Sequence, residues 1–360
     1  MAGAAKGIGR RELTAALFAR QLLRRDHGSS TVAAVRRLVA LQAQYSPSPH
    51  LALHARLPEF HQGDLEDALV AGDVVKATLM RGTLHIVAGS DYGHFASAWR
   101  RPSLIEFRRR YTDVDEDAVV AGLREFATEP RSAQELKDHV RDLTGGQVRA
   151  ADLLHYARAA VPLTHVAPSG HWRAHGKPRM VLWQGELAPE AAATVLLVRR
   201  YLAAFGPASR KDIAQFTYLR MGQLDPALAE LEPLVRYTGP DGTELLDLPD
   251  QPMGTPEAKL PVRYLPKWEA ALLSHADRTR ILPAALYREV YRAVNGECLA
   301  TYVVDGVVAG TWRHSRERDT ATLRLHALRA TRARTALTDE GRRLLSFLEP
   351  EASRQVVAFD

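Results

Sequence analysis

Two glutamines separated by one residue, Gln42 and Gln44, are the residues of this sequence whose type and spacing best suit chemistry. Each carboxamide carries a carbonyl acceptor and two N–H donors without a charge, so a pair can hold and orient a water molecule but cannot act as a strong base. Residues two apart share a face of an extended segment and point to opposite sides of a helix. The pair therefore converges on one site only if the chain is extended there. By itself, such a pattern is more often the polar end of a helix facing solvent.

The segment before the pair must end its helix for this convergence to occur. Apolar residues recur at helical spacing through residues 31–41, and Pro47 and Pro49 follow shortly afterwards. Because proline neither donates a backbone hydrogen bond nor fits a helix interior, a helix cannot easily continue through this point. The sequence thus predicts a helix that stops next to the two glutamines.

Three stretches of the chain repeat an order of helices followed by a strand pair. Each repeat reads as a winged helix, and the predicted units span residues 10–111, 115–183 and 189–250. Ser132 with Glu135 in the second unit forms a capping box that opens a short helix, and Ser209 with Asp212 does the same in the third. Winged helices often place a helix in a DNA groove, although others bind only proteins, so the fold alone does not settle the function.

The strand-like segment 78–87 of the first unit carries polar side chains. Arg81 and His85 are expected on the same strand face as Thr83. A single histidine in such a strand is more often a hydrogen-bonded structural residue than a catalyst.

A proline- and glycine-rich linker at residues 250–259 separates a C-terminal part with a different character, predicted as a small β-barrel-like domain over residues 260–349. Residues 307–313 and 320–325 read as strands of a hairpin whose tip is residues 314–318. The tip carries His314, Arg316 and Arg318, which are either DNA contacts or an exposed charged turn. The predicted class is therefore α+β, with tandem winged helices followed by a β domain.

Composition limits the possible functions. The chain has 360 residues, 46% of them hydrophobic and 25% charged, and a formal charge of +6, which is compatible with an anionic partner. A single cysteine excludes an internal disulfide, and the 14 histidines show no spacing typical of metal ligands, so no metal is expected. The N-terminus lacks the apolar core of a signal peptide, and no apolar run is long enough to span a membrane. The sequence predicts a cytoplasmic protein without a membrane segment.

Four phrases, at residues 41–44, 80–85, 200–208 and 304–313, together resemble the winged-helix DNA glycosylase family of AlkZ and YcaQ. The Gln-x-Gln pair is similar to the AlkZ branch, which is linked to self-resistance against DNA-alkylating natural products, whereas the YcaQ branch carries Gln-x-Asp. Ala43 departs from the family pattern, where a bulkier aliphatic residue is usual. Lys267, Trp268 and Glu269 also depart from it, because an acidic residue like Asp is common in that stretch.

The resemblance implies a monofunctional DNA glycosylase that hydrolyses the N-glycosidic bond of N7-alkylguanine, including bulky adducts and interstrand crosslinks. It implies Gln42 and Gln44 as catalytic residues, double-stranded DNA as the partner, no cofactor and a monomeric protein. The DNA contacts that it implies are Arg81, Thr83, His85, Trp312, Arg313, His314, Arg316 and Arg318. Two alternatives stay open from the sequence: a winged-helix transcriptional regulator with a purely structural glutamine pair, and a lesion-binding protein without turnover.

Overall fold

Helices and short strands alternate along the chain in the computed structural model, which describes residues 6–25, 28–174, 176–292 and 296–360. The helices are α1 Arg10–Arg20, α2 Thr31–Arg37, α3 Pro47–His54, α4 Gln62–Ala71, α5 Gly89–Arg110, α6 Glu116–Phe126, α7 Ala133–Leu143, α8 Ala150–Ala160, α9 Glu190–Phe205, α10 Arg210–Thr217, α11 Met221–Glu230, α12 Ala270–Leu273, α13 Tyr287–Val290 and α14 Arg334–Leu348. The strands are β1 Lys6–Gly7, β2 Leu41–Gln42, β3 Val74–Leu79, β4 Thr83–Ala88, β5 Arg131–Ser132, β6 Leu163–His165, β7 Arg179–Leu182, β8 Val235–Thr238, β9 Glu244–Asp247, β10 Arg263–Leu265, β11 Tyr291–Arg292, β12 Glu297–Cys298, β13 Thr301–Val304, β14 Val307–Glu317, β15 Thr320–Ala327 and β16 Arg354–Phe359.

One six-stranded antiparallel sheet, in the order β2-β4-β3-β6-β7-β5, runs through the first two predicted units. The two halves join where Ala77 of β3 pairs with Thr164 of β6. The hairpin of the second unit therefore extends the sheet of the first, and the Gln-x-Gln segment lies at its edge.

Both predicted capping boxes are present. The Ser132 hydroxyl accepts from the Glu135 backbone N–H and the Glu135 carboxylate accepts in return from the Ser132 N–H, at the start of α7. Ser209 and Asp212 make the same reciprocal bonds at the start of α10. The order of side chains thus fixed these helix starts, since each box satisfies N–H groups that have no partner inside the helix.

The strand pair β8–β9 of the third unit is extended by β1 into a three-stranded sheet, β1-β8-β9, and α1 packs against it. Arg20 of α1 donates to both carboxylate oxygens of Asp247 on β9, at 2.8 and 2.7 Å, and the two side chains are 1% and 2% exposed. This buried ion pair ties the first helix of the chain to a strand more than two hundred residues away.

The C-terminal strands form an open five-stranded sheet, not a barrel, in the order β10-β13-β14-β15-β16. Strands β10 and β16 are its two edges and do not pair with each other in the described part of the chain. Helix α14 covers one face, where its Leu344 and Leu345 are buried together with Leu323 of β15. The expected barrel is wrong because a helix, rather than closure of the sheet, buries this apolar face. Strand β16 lies beyond residue 349, where the predicted domain ends.

Candidate active site

The two glutamines lie side by side at the edge of the six-stranded sheet. Strand β2 pairs with β4 so that Gln42 is opposite His85, and the Ala43 N–H donates to the Leu84 carbonyl at 2.7 Å, which keeps the chain extended beyond β2. Gln42 and Gln44 therefore share one face, while Leu41 and Ala43 are buried on the other. The side-chain N–H of Gln42 (Nε2) donates a hydrogen bond to the side-chain oxygen Oε1 of Gln44.

The chain is extended here because α2 ends earlier than the apolar pattern suggests. The helix stops at Arg37, and Val39 adopts a left-handed conformation, with φ 70°, that breaks the helical path. Helix α3 then begins at Pro47, where proline is well tolerated in the first turn. The Gln-x-Gln segment is thus a short extended link between two helices.

The pair can bind a small polar molecule on its exposed side. Gln44 is exposed and Gln42 is half-buried, and their mutual hydrogen bond uses one donor and one acceptor, leaving two carboxamide groups with further donors and acceptors. Such an arrangement can orient a water molecule and present carbonyl dipoles to a positive charge, but it provides no strong base.

His85 is buried directly opposite Gln42. Its Nδ1 lies 3.0 Å from the Thr83 carbonyl oxygen, and a carbonyl can only accept, so Nδ1 carries the proton and Nε2 keeps its lone pair. Burial, with a smaller contribution from the charge of Arg81, lowers the pKa of His85 to about 3. The ring is therefore neutral at physiological pH and does not act as an acid there.

Arg81 lies in the turn between β3 and β4, not on the strand face with Thr83 and His85. It adopts φ 60° between the strands, its Nη1 donates to the Phe216 carbonyl at 2.6 Å, and its guanidinium lies 5.0 Å from the Phe216 ring centre. The sequence missed this turn because the apolar residues around it form a continuous strand-like run. The Thr83 hydroxyl donates to the Met80 carbonyl and stabilises the turn.

The structure also places Lys267 near Tyr45, the residue that follows Gln44. The Lys267 Nζ lies 5.9 Å from the centre of the Tyr45 ring and 2.7 Å from a carboxylate oxygen of Glu297. In the sequence, Lys267 stands out only as a departure from the family pattern. Contact between residues this far apart leaves no local signal in the sequence.

The predicted hairpin exists but differs from the expected tip. Strand β14 continues to Glu317, so His314 and Arg316 lie in a strand and the turn is at Arg318 and Asp319. Strand β15 pairs with β16 along its outer edge, so the hairpin is part of the five-stranded sheet and not a free two-stranded ribbon.

The residues of this hairpin that were predicted to contact DNA point in different directions. Trp312 is buried, and its indole N–H donates to the Leu265 carbonyl at 2.9 Å. His314 and Arg316 approach the Glu349 carboxylate, at 3.6 and 3.2 Å. Arg313 is exposed on the opposite face, where it pairs across the strands with Arg324. Of the predicted site residues, the structure therefore groups Gln42, Gln44, Thr83 and His85 at one edge of the six-stranded sheet, with Arg81 in the adjoining turn. The hairpin residues form a separate set.

A second, smaller hairpin contacts Lys267, whose Nζ lies 5.9 Å from the centre of the Tyr45 ring. Strands β11 and β12 pair only with each other in the described residues, and Glu297 of β12 is the partner of Lys267. Arg292 of β11 lies 3.7 Å from the same carboxylate.

Neither a metal site nor a membrane span is found where the structure describes the chain. No three His, Cys, Asp or Glu side chains come together in a way that could hold a metal ion there. None of the described helices is long and apolar enough to cross a bilayer.

One protein family matches most of the chain. The sequence profile of the DNA glycosylase AlkZ-like family covers residues 35–347 of the chain. The chain therefore belongs to this family and is a DNA glycosylase, an enzyme of DNA repair that acts on DNA.

A solved structure extends the comparison to the whole fold. The Streptomyces sahachiroi DNA glycosylase AlkZ superimposes with a TM-score of 0.82 over 98% of this chain and 100% of its own, at 18% sequence identity. At this identity the likeness concerns the fold. No curated protein sequence matches the chain.

Proposed function

We propose that the enzyme removes N7-alkylguanine from duplex DNA by hydrolysis, using a water molecule held by Gln42 and Gln44. The observation that carries the proposal is the contact between these two carboxamides on the exposed side of a sheet edge. Two polar side chains without a charge, joined to each other and open to solvent, keep donors and acceptors free for a water molecule.

The chemistry of the lesion matches a pair of uncharged carboxamides. Alkylation at N7 leaves guanine cationic, so the base is already an activated leaving group and needs little acid catalysis. As the N-glycosidic bond breaks, positive charge develops on the sugar, and the carboxamide carbonyl oxygens present their negative ends to it. The same groups hold the water for attack at C1′, which removes part of the entropic barrier.

We propose that the enzyme is monofunctional and leaves an abasic site. A lyase would need a free amine at the sugar, and Lys267, the lysine beside Tyr45, is held instead by the carboxylate of Glu297. No cofactor enters this mechanism, and we propose that the protein acts as a monomer.

An open site supports the proposal that bulky adducts and interstrand crosslinks are substrates as well. Gln44 is exposed, and Tyr45 is 44% exposed, so the pair does not lie at the bottom of a deep pocket. A bulky or crosslinked base cannot be turned into a tight pocket as a small lesion can. The enzyme would approach such a lesion from outside the helix.

We propose that three winged-helix units, at residues 10–111, 115–183 and 189–250, hold the duplex against the site, together with the β domain at 260–349. The β3–β4 segment supports this role, since Arg81 lies next to the sheet edge that carries the pair. On the β14–β15 hairpin, Arg313 is the better candidate for a phosphate contact, because it is exposed and has no carboxylate partner in the described residues. His314 and Arg316 already contact Glu349.

The test is the release of free base. A duplex containing one 7-methylguanine is incubated with excess enzyme, and both the released base and the abasic sites are measured. Release of 7-methylguanine with intact abasic sites is expected. Strand cleavage without added alkali would contradict a monofunctional enzyme. A transcriptional regulator or a lesion-binding protein would retain duplex binding and release nothing. A crosslinked duplex in the same assay tests unhooking.

A further inference from the structure

A pocket lined by arginines is formed by α1, α2, α9 and the first turn of α5. Its volume is about 770 Å³, and Arg36 and Arg37 at the end of α2 line it together with Arg200 of α9 and Ser90 of α5. Arg20 also lines it, but the guanidinium of this residue is held in the buried ion pair of α1 described above. Three further cations therefore face one concave surface.

These three cations outnumber the carboxylates that contact them. Asp91, buried at the start of α5, lies 3.0 Å from Arg200 and 3.9 Å from Arg36, and the second distance is too long for a hydrogen bond. Arg37 contacts no carboxylate among the residues that the structure describes; its partners are backbone carbonyls. Three guanidinium groups thus share one carboxylate, which leaves the pocket with an excess of positive charge.

Several N–H groups of these arginines have no acceptor in the described part of the chain. Nε and Nη2 of Arg37 donate to the carbonyl oxygens of Arg20 and Ala19, at 3.1 and 3.0 Å, which fixes the guanidinium and leaves Nη1 available. Arg200 uses Nη2 for Asp91, and its buried Nε has no hydrogen-bond partner there. A buried donor without an acceptor is unfavourable, so these groups favour a ligand that accepts hydrogen bonds.

The spacing of two of the guanidinium groups fits a phosphate. Nε of Arg36 and Nη2 of Arg200 lie 3.9 and 3.0 Å from the same oxygen of Asp91, so the two nitrogens are at most about 7 Å apart. An N–H···O bond spans about 2.9 Å, so an anion with several oxygens can accept from both arginines at once. Guanidinium groups also match phosphate oxygens in geometry. Asp91 repels such an anion, but its single charge is outweighed by three cations.

We propose that this pocket binds one phosphate of the DNA backbone to one side of the lesion. DNA is the polyanion on which the family acts, and the proposal rests on the proposed function for the position of the lesion. Arg37 precedes Gln42 by five residues, a stretch of chain that spans at most about 18 Å. The phosphate therefore lies within roughly one helical turn of DNA from the base that is removed.

A scan of neutral phosphates tests the site directly. Single methylphosphonates are placed along both strands of a duplex carrying 2′-fluorinated 7-methyl-2′-deoxyguanosine, whose glycosidic bond resists hydrolysis. With the wild-type enzyme, neutralising a contacted phosphate should weaken binding by about tenfold, since a charge-assisted contact is lost. In Arg37→Gln, the unmodified duplex should bind about tenfold more weakly, and the penalty at one position should disappear while the others remain. Penalties that all persist in this variant would overturn the proposal.

A second variant shows whether the arginines share one phosphate. Arg36→Gln should remove the penalty at the same position as Arg37→Gln, and removal at a different position would overturn the shared site. Because the Arg36 side chain makes no hydrogen bond within the described residues and is exposed, this variant also serves if Arg37→Gln does not fold. Arg124→Gln, an exposed arginine on α6, is the matched control and should leave every penalty unchanged. A lower melting temperature with unchanged penalties would show that Arg36 and Arg37 only stabilise the end of α2.

Titrations without DNA separate a backbone phosphate from a free one. Inorganic phosphate and adenosine monophosphate should bind to the wild-type enzyme only at millimolar concentration or more weakly. A micromolar affinity for either, lost in Arg37→Gln, would assign the pocket to a free phosphate compound and overturn the DNA contact.

The outcome can be told apart from that of the proposed function. On undamaged duplex, the log–log slope of affinity against salt should fall by roughly 0.9 in Arg37→Gln, which tests the phosphate contact without a lesion. If the wild-type enzyme releases no 7-methylguanine but this slope falls, the proposed function fails and the phosphate site stands. If it releases the base and neither the slope nor any penalty depends on Arg37, only the phosphate site fails.

Discussion

Replacing either glutamine of the pair should slow base excision without weakening DNA binding. Gln42→Ala removes the half-buried member and also the hydrogen bond that holds Gln44, whereas Gln44→Ala leaves Gln42 anchored in β2. The loss of one preorganised dipole typically costs about 10- to 1000-fold in rate, or about 1.4 to 4 kcal/mol of transition-state stabilisation. Because Gln44 is exposed to water, we expect its loss at the lower end of this range and the loss of Gln42 above it.

The double variant gives the sharper result. If the two carboxamides act as a unit on one water molecule, removing both should cost little more than removing Gln42 alone. The assay is single-turnover release of 7-methylguanine at saturating enzyme, with duplex affinity measured separately. Gln134→Ala, an exposed glutamine on α7, is the control. Unchanged rates in both single variants would refute the assignment, and rates lost in strict proportion to affinity would show that the pair only binds DNA.

A swap separates the two branches that the sequence resembles. Gln44→Asp places a carboxylate beside Gln42 and recreates the Gln-x-Asp pair. It should shift preference toward simple alkylguanines over bulky ones, as measured by the ratio of excision rates on the two substrates; an unchanged ratio would contradict a role of this residue in substrate choice.

Three further predictions follow from the charges and the burial. Replacing His314, Arg316 and Arg318 together with alanine should cost about 1 kcal/mol or less of the free energy of unfolding, because Glu349 loses only partly exposed partners. The same triple variant should lose more excision of crosslinked guanine than of 7-methylguanine. Equal losses on the two substrates would contradict a role at bulky lesions. Glu269→Ala leaves the buried charge of Arg56 unpaired and should cost about 3 to 5 kcal/mol in urea unfolding. Burial lowers the pKa of His85 from 6.5 to about 3, so the unfolded chain takes up a proton on this residue more readily than the folded protein. The free energy of unfolding should therefore fall as the pH drops from 6.5 toward 3, by about 2 kcal/mol between pH 7 and pH 5 from this residue alone. A melting temperature that stays the same between pH 7 and pH 5 would contradict the burial of His85.

The ends of helices and strands show what local sequence can predict. The capping boxes at Ser132 and Ser209 were predicted correctly, because each depends on side chains only three residues apart. The end of α2 was predicted too late, since the apolar pattern continues past Arg37 while Val39 leaves the helical conformation. The turn at Arg81 was missed for the same reason: hydrophobic pattern does not distinguish one long strand from two that fold back on each other.

The sequence by itself determined the family, through four phrases spread along the chain, and the polar pair that the chemistry needs. It also determined the α+β class, because alternation of helical and strand-like segments is a local property. Only the tertiary structure decided that the C-terminal sheet stays open, since its apolar face is buried by α14, and that His314 and Arg316 meet Glu349. Only the tertiary structure brought Lys267 to Tyr45. These pairs are far apart along the chain, and their contacts depend on the packing of whole elements, which local preference does not encode.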